Sequence, residues 1–475
     1  MKRNYIAGEW LASDDAIENR NPPDISDLIG TYAQATTDQL ESALDSARAA
    51  QKLWQVTGLE ARQTALIKIG TAMMDRADEL GELLSREEGK PRAEGRGEIY
   101  RAGQFFTYYA AEVLRQIGDN ADSVRAGIEI DVRRDPVGII AVVSPWNFPT
   151  ATAVWKIAPA LAFGNAVIWK PANLVPASAV ALTEIIADAG LPDGLFQIVH
   201  GDHKVGRAIC AHPGIAKISL TGGVDTGRLI MGQSAETLKK VTLELGGKSP
   251  LLVFADADFD LAVQTALDAN FYTAGEVCSN ATRVFVEASI AAEFEAALVE
   301  RARTMTVGDP MADDVQMGAL ISEPHLQKVL DYVASGTAEG ATLAVGGSRL
   351  HPQGFEAGYF MEPTILTNCR DEMRHVREEI FGPVMSVLTF ETEEEAVQRA
   401  NATSFGLGAG LMTGDLARAH RVAAQLESGN VWVNSYNILP PGLPFGGVKQ
   451  SGFGRENSAY SLEAYSEIKA TYIQL

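Results

Sequence analysis

Apolar residues recur every three to four positions through the first quarter of the chain. Two runs have this spacing: Leu40, Ala43, Ala47, Ala50 and Trp54, then Leu66, Ile69, Met73, Ala77, Leu80 and Leu84. A period of 3.6 residues places such side chains on one helical face, so this region is predicted to be helical. Over residues 128–133 the spacing changes to two, which predicts a half-buried strand of a projecting hairpin, ended by Asp135-Pro136.

Short apolar segments alternate with helical ones beyond Gly138. Strands are predicted over 139–143, 166–169, 196–199 and 218–220, with a helix over 177–187. A further buried strand is predicted over 250–254, and a second unit of the same kind continues to about residue 435. Alternating strands and helices predict an α/β fold with parallel sheets, which bind dinucleotides at the carboxyl ends of their strands.

Composition and charge exclude several classes of protein. At 475 residues the chain exceeds what one hydrophobic core supports, so two or three domains are expected. The net charge of −21 opposes binding to nucleic acid. The longest apolar stretch, 137–143, is too short to span a bilayer, and the first residues contain no apolar signal region. We therefore expect a cytoplasmic protein without a membrane or nucleic-acid partner.

Cysteine and histidine are sparse in this sequence. The three cysteines, Cys210, Cys278 and Cys369, have no paired or CxxC spacing, and the seven histidines have no metal-binding spacing. Neither disulfides nor a metal site is expected. Cys210 and Cys369 are interpreted as small buried side chains, which is the usual role of an isolated cysteine.

Cys278 has a setting that favours a catalytic role. It is in the segment AGEVCSN, with Glu244 upstream in LELGGK and Asn147 further upstream in SPWNFP. A thiol nucleophile, a carboxylate base and an amide that donates to an oxyanion are the groups that covalent carbonyl chemistry requires. An enzyme is therefore the leading hypothesis.

A second set of residues indicates a phosphate-binding turn. The segment TGGVDTG, with Gly222 and Gly223, lies between a predicted strand and a predicted helix, where backbone amides and the helix dipole favour a phosphate. An ordinary glycine turn is the alternative. Lys170, at the end of an earlier predicted strand, adds an ammonium that can reach a ribose or a phosphate.

Together these segments resemble the aldehyde dehydrogenase family along essentially the whole chain. The resemblance is carried by SPWNFP, WKP, LELGGK, AGEVCSN, EEIFGP and PFGGVKQSG. It implies a Rossmann-type cofactor domain of residues 1–117 and 138–246 and an α/β catalytic domain of residues 247–437. It also implies a β-hairpin oligomerisation element of residues 118–137 and 458–475, and hence a homodimer or homotetramer.

The resemblance implies NAD as the cofactor and assigns residues to it. The residues implied for the adenosine and pyrophosphate are Trp146, Lys170, Asn173, Gly222 and Gly223, and those for the nicotinamide riboside are Glu379 and Phe381. Many family members that use NAD have glutamate at the position of Asn173, where it repels a 2′-phosphate. Asparagine removes this repulsion, so NADP is the alternative cofactor.

The resemblance also implies a reaction sequence. Cys278 attacks the aldehyde, Asn147 and the Cys278 amide stabilise the oxyanion, and Glu244 activates water to hydrolyse the thioester. The branch of the family that transfers the acyl group to coenzyme A lacks this glutamate, so hydrolysis is favoured. Lys156 and Glu456 are similar to a family proton path, with a structural ion pair as the alternative. Glu276 replaces a common glutamine, and its charge is expected to raise the thiol pKa.

Within the family the sequence is most similar to betaine aldehyde and ω-aminoaldehyde dehydrogenases. This similarity implies an aromatic box that binds a quaternary ammonium, formed by Phe148, Trp155, Tyr272 and Tyr436. Other segments are equally similar to 2-oxoglutarate semialdehyde dehydrogenases, whose carboxylated substrate requires a tunnel arginine or lysine that the sequence does not locate. A non-catalytic binding or structural homologue is the alternative of another class, although Cys278, Glu244 and Asn147 are all retained.

Overall fold

The computed structural model describes residues 2–475. Its α-helices are Thr37–Val56 (α1), Leu59–Asp75 (α2), Ala77–Glu88 (α3), Arg92–Val113 (α4), Ala151–Ala162 (α5), Pro176–Ala187 (α6), His203–Ala211 (α7), Val224–Ala235 (α8), Phe259–Phe271 (α9), Ala291–Arg303 (α10), Glu323–Ala338 (α11), Arg374–Arg377 (α12), Glu393–Asn401 (α13), Leu416–Gln425 (α14) and Ser461–Tyr465 (α15). Short 3₁₀ helices cover Tyr272–Gly275 and Lys449–Ser451.

The strands are, in chain order, Asn4–Ile6 (β1), Glu9–Leu11 (β2), Ala16–Arg20 (β3), Leu28–Ala33 (β4), Asp119–Asp122 (β5), Ile128–Pro136 (β6), Ile139–Val143 (β7), Ala166–Lys170 (β8), Phe196–Ile198 (β9), Lys217–Thr221 (β10), Lys240–Glu244 (β11), Pro250–Val253 (β12), Arg283–Glu287 (β13), Thr342–Val345 (β14), Arg349–Leu350 (β15), Phe360–Met361 (β16), Thr364–Thr367 (β17), Val384–Phe390 (β18), Gly408–Met412 (β19), Asn430–Val433 (β20), Gly452–Phe453 (β21) and Ser466–Gln474 (β22). These elements confirm the predicted α/β class.

The first large sheet has the strand order β2-β1-β9-β8-β7-β10-β11-β21. Its five central strands run parallel, whereas β1 and β21 are antiparallel to their neighbours. β7 and β8 are almost entirely apolar and buried, as expected for strands covered on both faces. Because β7, β8, β10 and β11 are parallel, their carboxyl ends lie along one edge of the sheet.

The second large sheet has the strand order β14-β17-β18-β13-β12-β19-β20. All strands from β17 to β20 in this order are parallel, and only β14 is antiparallel to its neighbour. Residues of these strands form a hydrophobic core of their own, separate from the core around the first sheet. The loops that follow the central strands of both sheets supply the residues of the candidate site.

A three-stranded antiparallel sheet has the order β22-β6-β5. β6 and β22 pair over nine residues, from Ser466 opposite Pro136 to Gln474 opposite Ile128. Most of β22 is exposed, including Ile468 and Tyr472. The predicted hairpin strand therefore exists, but it extends beyond residue 133 and includes Pro136.

The predicted helical run from Leu66 to Leu84 is two helices rather than one. Arg76 leaves the helical conformation with φ −104° and ψ 18°, which ends α2 and precedes α3. Leu66 and Leu84 are both buried, so each helix keeps its apolar face toward the core. The periodicity therefore identifies the buried face correctly and misses the break.

Neither a membrane-spanning helix nor a cluster of metal-ligating side chains is found in the described part of the chain. Among residues 2–475 there is no helix with the length and apolar character needed to cross a bilayer. Over the same residues, no three histidine, cysteine or carboxylate side chains are grouped as metal ligands.

Candidate active site

Loops from both large sheets line a cavity of about 350 Å³. The residues predicted from sequence that line it are Trp146, Asn147, Phe148, Trp155, Gly222, Gly223, Glu244, Tyr272, Cys278, Glu379 and Phe381. Of the other predicted residues, Lys156 and Glu456 form a buried pair, and Lys170, Asn173 and Tyr436 do not line the cavity. The structure thus brings segments that are distant in sequence to one place.

Parallel pairing positions Glu244 beside the glycine turn. Thr221 ends β10 directly opposite Glu244 at the end of β11. The Gly222 amide then donates to the Glu244 carbonyl oxygen at 3.0 Å. The two segments, separated in sequence by α8, are therefore neighbours because they lie at the ends of adjacent parallel strands.

Cys278 follows a tight loop that begins after α9. The 3₁₀ turn Tyr272–Gly275 contains two non-glycine residues with φ of 48°, and Gly275 has φ of 75°. A Cβ on Gly275 would lie 2.3 Å from the carbonyl carbon of Gly382. Only glycine permits this approach, which packs the Cys278 loop against the segment that carries Phe381.

Cys278 is half-buried in the wall of the cavity. Burial raises its pKa to about 12, and the negative charges of Glu379 and Glu244 act in the same direction. The thiol is therefore protonated at neutral pH in this state, and attack on a carbonyl requires that a neighbouring group accept the proton.

The side chain of Asn147 is directed toward the Cys278 loop. Its Nδ2 donates to the carbonyl oxygen of Glu276 at 2.7 Å, which fixes the amide plane. The Asn147 carbonyl oxygen in turn accepts a hydrogen bond from Lys90 Nζ at 2.5 Å. One N–H of the amide is thus engaged, and the other is available to a ligand in the cavity.

Glu244 is buried and its carboxylate oxygens accept no hydrogen bond from a side chain or backbone group of residues 2–475. Its Oε1 lies against Gly446, where a Cβ would approach within 2.6 Å. Burial raises the carboxyl pKa well above its usual value, and the nearby Glu456 charge adds to the rise. The rise makes the Glu244 carboxyl easier to protonate than an exposed one, and it lies close to a second titratable pair.

That pair is formed by Lys156 and Glu456. Lys156 Nζ lies 2.9 Å from Glu456 Oε1, and both side chains are almost completely buried. Three further contacts extend the network: Ser219 Oγ to Glu456 at 3.4 Å, Thr242 Oγ1 to Ser219 at 3.0 Å, and Lys217 Nζ to Thr242 at 2.9 Å. Burial lowers the pKa of Lys217 to about 7. A continuous set of hydrogen-bonded polar atoms therefore extends from Lys156 and Glu456, whose charges influence the pKa of Glu244, to Lys217.

One side of the cavity has the form of a dinucleotide site. Gly223 precedes α8 without a side-chain cap, and a Cβ on Gly223 would meet no atom within 4 Å. The Thr221 hydroxyl there is buried and has no hydrogen-bond partner within the described residues. Glu379 Oε1 accepts from the Gly247 amide at 3.1 Å. Free helix amides, open space and unpaired polar atoms fit a pyrophosphate and its ribose.

The other side of the cavity is aromatic. The rings of Phe148 and Tyr272 are stacked with centroids 6.3 Å apart, and Trp155 packs on Phe445 at 5.2 Å. Phe445, which was not predicted from the sequence, also lines the cavity, whereas the predicted Tyr436 lines an adjoining groove together with Tyr272. The Tyr436 ring instead packs on Trp432, and its hydroxyl donates to the Ser279 carbonyl oxygen.

The family assignment follows from comparison of the sequence with known proteins. The sequence matches the aldehyde dehydrogenase family over residues 10–471. The chain belongs to this family. A betaine aldehyde dehydrogenase from Vibrio vulnificus (strain YJ016) is 43% identical over 474 residues, which are 99% of this chain and 97% of the relative.

Solved structures of aldehyde dehydrogenases share the fold over the whole length. The betaine aldehyde dehydrogenase of Staphylococcus aureus in complex with NAD+ has a TM-score of 0.98 and 36% identity, covering 100% of this chain and 95% of that one. A mutant aldehyde dehydrogenase of Bacillus cereus has a TM-score of 0.96 and 36% identity, covering 99% and 96% of the two chains. The predicted aldehyde dehydrogenase fold is confirmed.

Glu276 of this aldehyde dehydrogenase acts differently from the sequence prediction. Its carboxylate is buried, accepts from the Ile321 amide at 3.2 Å, and lies 3.3 Å from His325 Nε2. Burial raises its pKa well above the usual value, which favours the neutral carboxyl. The charges that raise the thiol pKa belong to Glu379 and Glu244, which corrects the expected role of Glu276.

Lys156→Met is expected to destabilise the protein. The substitution leaves the Glu456 carboxylate buried without its partner, which lowers the free energy of unfolding by about 3–5 kcal/mol. Thermal unfolding followed by circular dichroism measures the change. The double variant Lys156→Met/Glu456→Gln removes the unpaired charge and should recover part of the loss, and a double variant no more stable than the single one would contradict this explanation.

Proposed function

We propose that this enzyme oxidises an aldehyde to a carboxylic acid with NAD+, through a thioester at Cys278. One observation carries the proposal: Cys278, Asn147 and Glu244 line the same cavity as the glycine turn of Gly222 and Gly223. Each turnover converts one aldehyde, one NAD+ and one water into one carboxylate, one NADH and two protons. The relative from Staphylococcus aureus was crystallised with NAD+, which supports the choice of cofactor.

Three residues perform the covalent steps in this proposal. The Cys278 thiol releases its proton to water in the cavity as its sulfur bonds to the carbonyl carbon, and the Asn147 N–H that is not bonded to Glu276 donates to the resulting oxyanion. NAD+, when bound, would supply the hydride acceptor, so that loss of hydride from the Cys278 adduct leaves a thioester. Glu244, as the carboxylate, then removes a proton from the water that attacks the thioester, and this proton passes toward the Lys156–Glu456 pair while the departing Cys278 sulfur is reprotonated.

The cofactor is proposed to lie between the glycine turn and the segment carrying Glu379 and Phe381. Glu379 is held by the Gly247 amide, and the Phe381 ring packs edge-on against Trp146 at 5.3 Å. Lys170 and Asn173 follow β8 at the same edge of the first sheet, outside the cavity itself. They are proposed to contact the adenosine end of the cofactor, which is the role that the family resemblance implies for them.

Two substrate classes are candidates. The relatives named for betaine aldehyde and the aromatic walls of Phe148, Trp155, Tyr272 and Phe445 favour an aldehyde with a quaternary ammonium. An aldehyde with a carboxylate, such as 2-oxoglutarate semialdehyde, is favoured by an arginine in the same cavity wall, Arg101.

The test of the proposed chemistry is an assay of NAD+ reduction with a neutral aliphatic aldehyde. An absorbance increase accompanied by equimolar carboxylic acid is expected. Reduction of NAD+ with formation of a coenzyme A thioester in place of the acid would contradict the hydrolytic step. Binding of NAD+ without turnover of any aldehyde would support the non-catalytic alternative.

Asn173→Glu is expected to lower the use of NADP. Asn173 Oδ1 is buried without a hydrogen-bond partner in the described part of the chain. Three residues earlier is Lys170, and burial lowers the pKa of its ammonium group to about 8. A glutamate places a negative charge where the 2′-phosphate of NADP is proposed to lie, and kcat/KM for NADP should fall about 10- to 100-fold. NAD kinetics should change little. Asn173→Gln is the uncharged control, and an equal loss with NAD would contradict the placement.

The domain division and the assembly complete the proposal. We propose that residues 1–117 and 138–246 bind the cofactor, that 247–437 form the catalytic domain, and that 118–137 with 458–475 join subunits. The long pairing of β6 with the exposed β22 supports a subunit contact there. A homodimer or homotetramer follows, which light scattering distinguishes.

A further inference from the structure

The fourth helix places an arginine in the wall of the cavity that contains Cys278. Gly97 and Glu98 lie four and three residues before Arg101 on α4, and all three line the cavity. This spacing puts them on one face of the helix. Arg101 is an exposed residue that also contributes to the cavity wall.

Arg101 differs from the other arginines of α4 in having no partner. Arg92 pairs with Asp313, and Arg96 pairs with Asp78. Within residues 2–475 the Arg101 guanidinium makes neither an ion pair nor a hydrogen bond, although the helix is rich in both. Its five N–H donors are available to a ligand.

No carboxylate of the described residues pairs with Arg101, although several line the same walls. The Glu98 carboxylate is buried and already accepts from Lys90 Nζ at 3.0 Å and from the Thr150 and Ala151 amides at 2.9 and 3.0 Å. Glu379 belongs to the opposite, cofactor side, where it accepts from the Gly247 amide. Glu94 and Asp268 line a groove that Arg101 also lines, but Glu94 accepts from Thr273 and Asp268 accepts from Gln264. The Arg101 guanidinium therefore lies near aromatic side chains without a paired carboxylate.

Arg101 lies where the cavity meets the surface. Arg101 and Tyr272 also line an adjoining groove of about 620 Å³. The Arg101 charge opposes the rise that burial causes in the pKa of the Tyr272 phenol, so the two groups are near each other. A substrate whose aldehyde reaches Cys278 would therefore have its far end close to this guanidinium.

From these observations we infer that Arg101 binds the carboxylate of an aldehyde substrate, so that this enzyme oxidises aldehydes with an anionic far end. The inference rests on the proposed function and specifies its substrate class. A planar guanidinium with free donors binds a carboxylate through two parallel hydrogen bonds. A quaternary ammonium cannot accept these hydrogen bonds and is repelled by the same charge. The overall charge of −21 makes a local cation more important for an anionic ligand.

The test compares kcat/KM for 2-oxoglutarate semialdehyde, a neutral aldehyde of similar length and betaine aldehyde. We expect the wild type to prefer the anionic aldehyde. Arg101→Gln should lower kcat/KM for that substrate about 10- to 100-fold, mainly through KM, because a hydrogen-bonded charge is lost. The same variant should leave the neutral aldehyde unchanged and improve betaine aldehyde. Arg101→Lys should restore part of the anionic activity, since it returns the charge without the planar donors.

Two controls separate charge recognition from a general effect. Arg96→Gln removes an arginine of the same helix that is paired with Asp78 and does not line the cavity, so all three activities should stay the same. Raising the ionic strength should weaken the anionic preference in the wild type and not in Arg101→Gln.

The outcomes also distinguish this inference from the proposed function. Equal losses for all three aldehydes in Arg101→Gln, or an anionic preference that survives it, would overturn the role of Arg101. A wild type that prefers betaine aldehyde, with no gain in Arg101→Gln, would do the same. If the wild type oxidises none of the aldehydes, the proposed function itself fails.

Discussion

Cys278→Ala is expected to abolish aldehyde oxidation, with a loss of at least about 10³-fold in kcat, because no other side chain can form the thioester. Cys278 is the only cysteine among those described that lines the cavity with Asn147 and Glu244. Stopped-flow absorbance of NADH measures the residual rate. Binding of NAD+, followed by quenching of tryptophan fluorescence, should remain.

The other two cysteines provide matched controls for this experiment. Cys210 is buried, and Cys369 lies 3.3 Å from His375 Nε2 in the second unit. Cys210→Ala and Cys369→Ala should keep kcat within a few-fold of wild type, since neither thiol reaches the cavity. Full activity in Cys278→Ala, or equal losses in all three variants, would remove Cys278 from the mechanism.

Glu244→Gln is expected to stop the reaction after hydride transfer. Loss of a general base lowers the rate of the deacylation step about 10²- to 10⁴-fold. Gln has nearly the same shape, and the Glu244 carboxylate has no hydrogen-bond partner in the described residues that the change would break. A rapid burst of about one NADH per active site should appear, followed by slow turnover.

Mass spectrometry of the quenched Glu244→Gln enzyme should detect the acyl group on Cys278. Glu372→Gln provides a control, since Glu372 is an exposed carboxylate that pairs with Arg370 and does not line the cavity. This control should turn over normally. A slow first turnover in Glu244→Gln, without a burst, would instead place Glu244 before hydride transfer, as the acceptor of the thiol proton.

Part of the convergence of the main site residues was predictable from sequence. Periodicity predicted the strand before the Gly222 turn, and parallel strands that alternate with helices bring the segments at their carboxyl ends to one edge. Periodicity did not predict β11, which ends at Glu244, so Glu244 was selected by its motif alone and its position beside the Gly222 turn comes from the structure. The motif around Cys278 added the chemistry, although not the close packing at Gly275 that holds it.

The choice of aromatic side chains was not predictable in the same way. Tyr436 and Phe445 both belong to the segment after β20, and neither lies in a periodic element. Asn434 and Asn437 on either side of Tyr436 have φ of 51° and 53°, so the backbone reverses locally, and the Tyr436 ring packs on Trp432 and lines the adjoining groove. No propensity in the sequence specifies this reversal.

Arg101 illustrates a second limit of the sequence. The helical period indicates that Arg101 shares a face with Glu98, and the structure bears this out. The sequence does not indicate what that face meets, because the opposing residues come from Phe148 and Tyr272, both distant along the chain. Contacts between separate elements depend on tertiary packing, which a single sequence leaves undetermined.

The pairing of β6 with β22 has a consequence for the order in which the protein folds. Ribosomal synthesis produces every other described element before Ser466–Gln474, so one edge of β6 remains open throughout translation. An open strand edge invites pairing with another chain. Alternating charged residues on β6, Glu129, Asp131 and Arg133, make a nascent β6 a poor template for such mispairing until its own partner strand emerges.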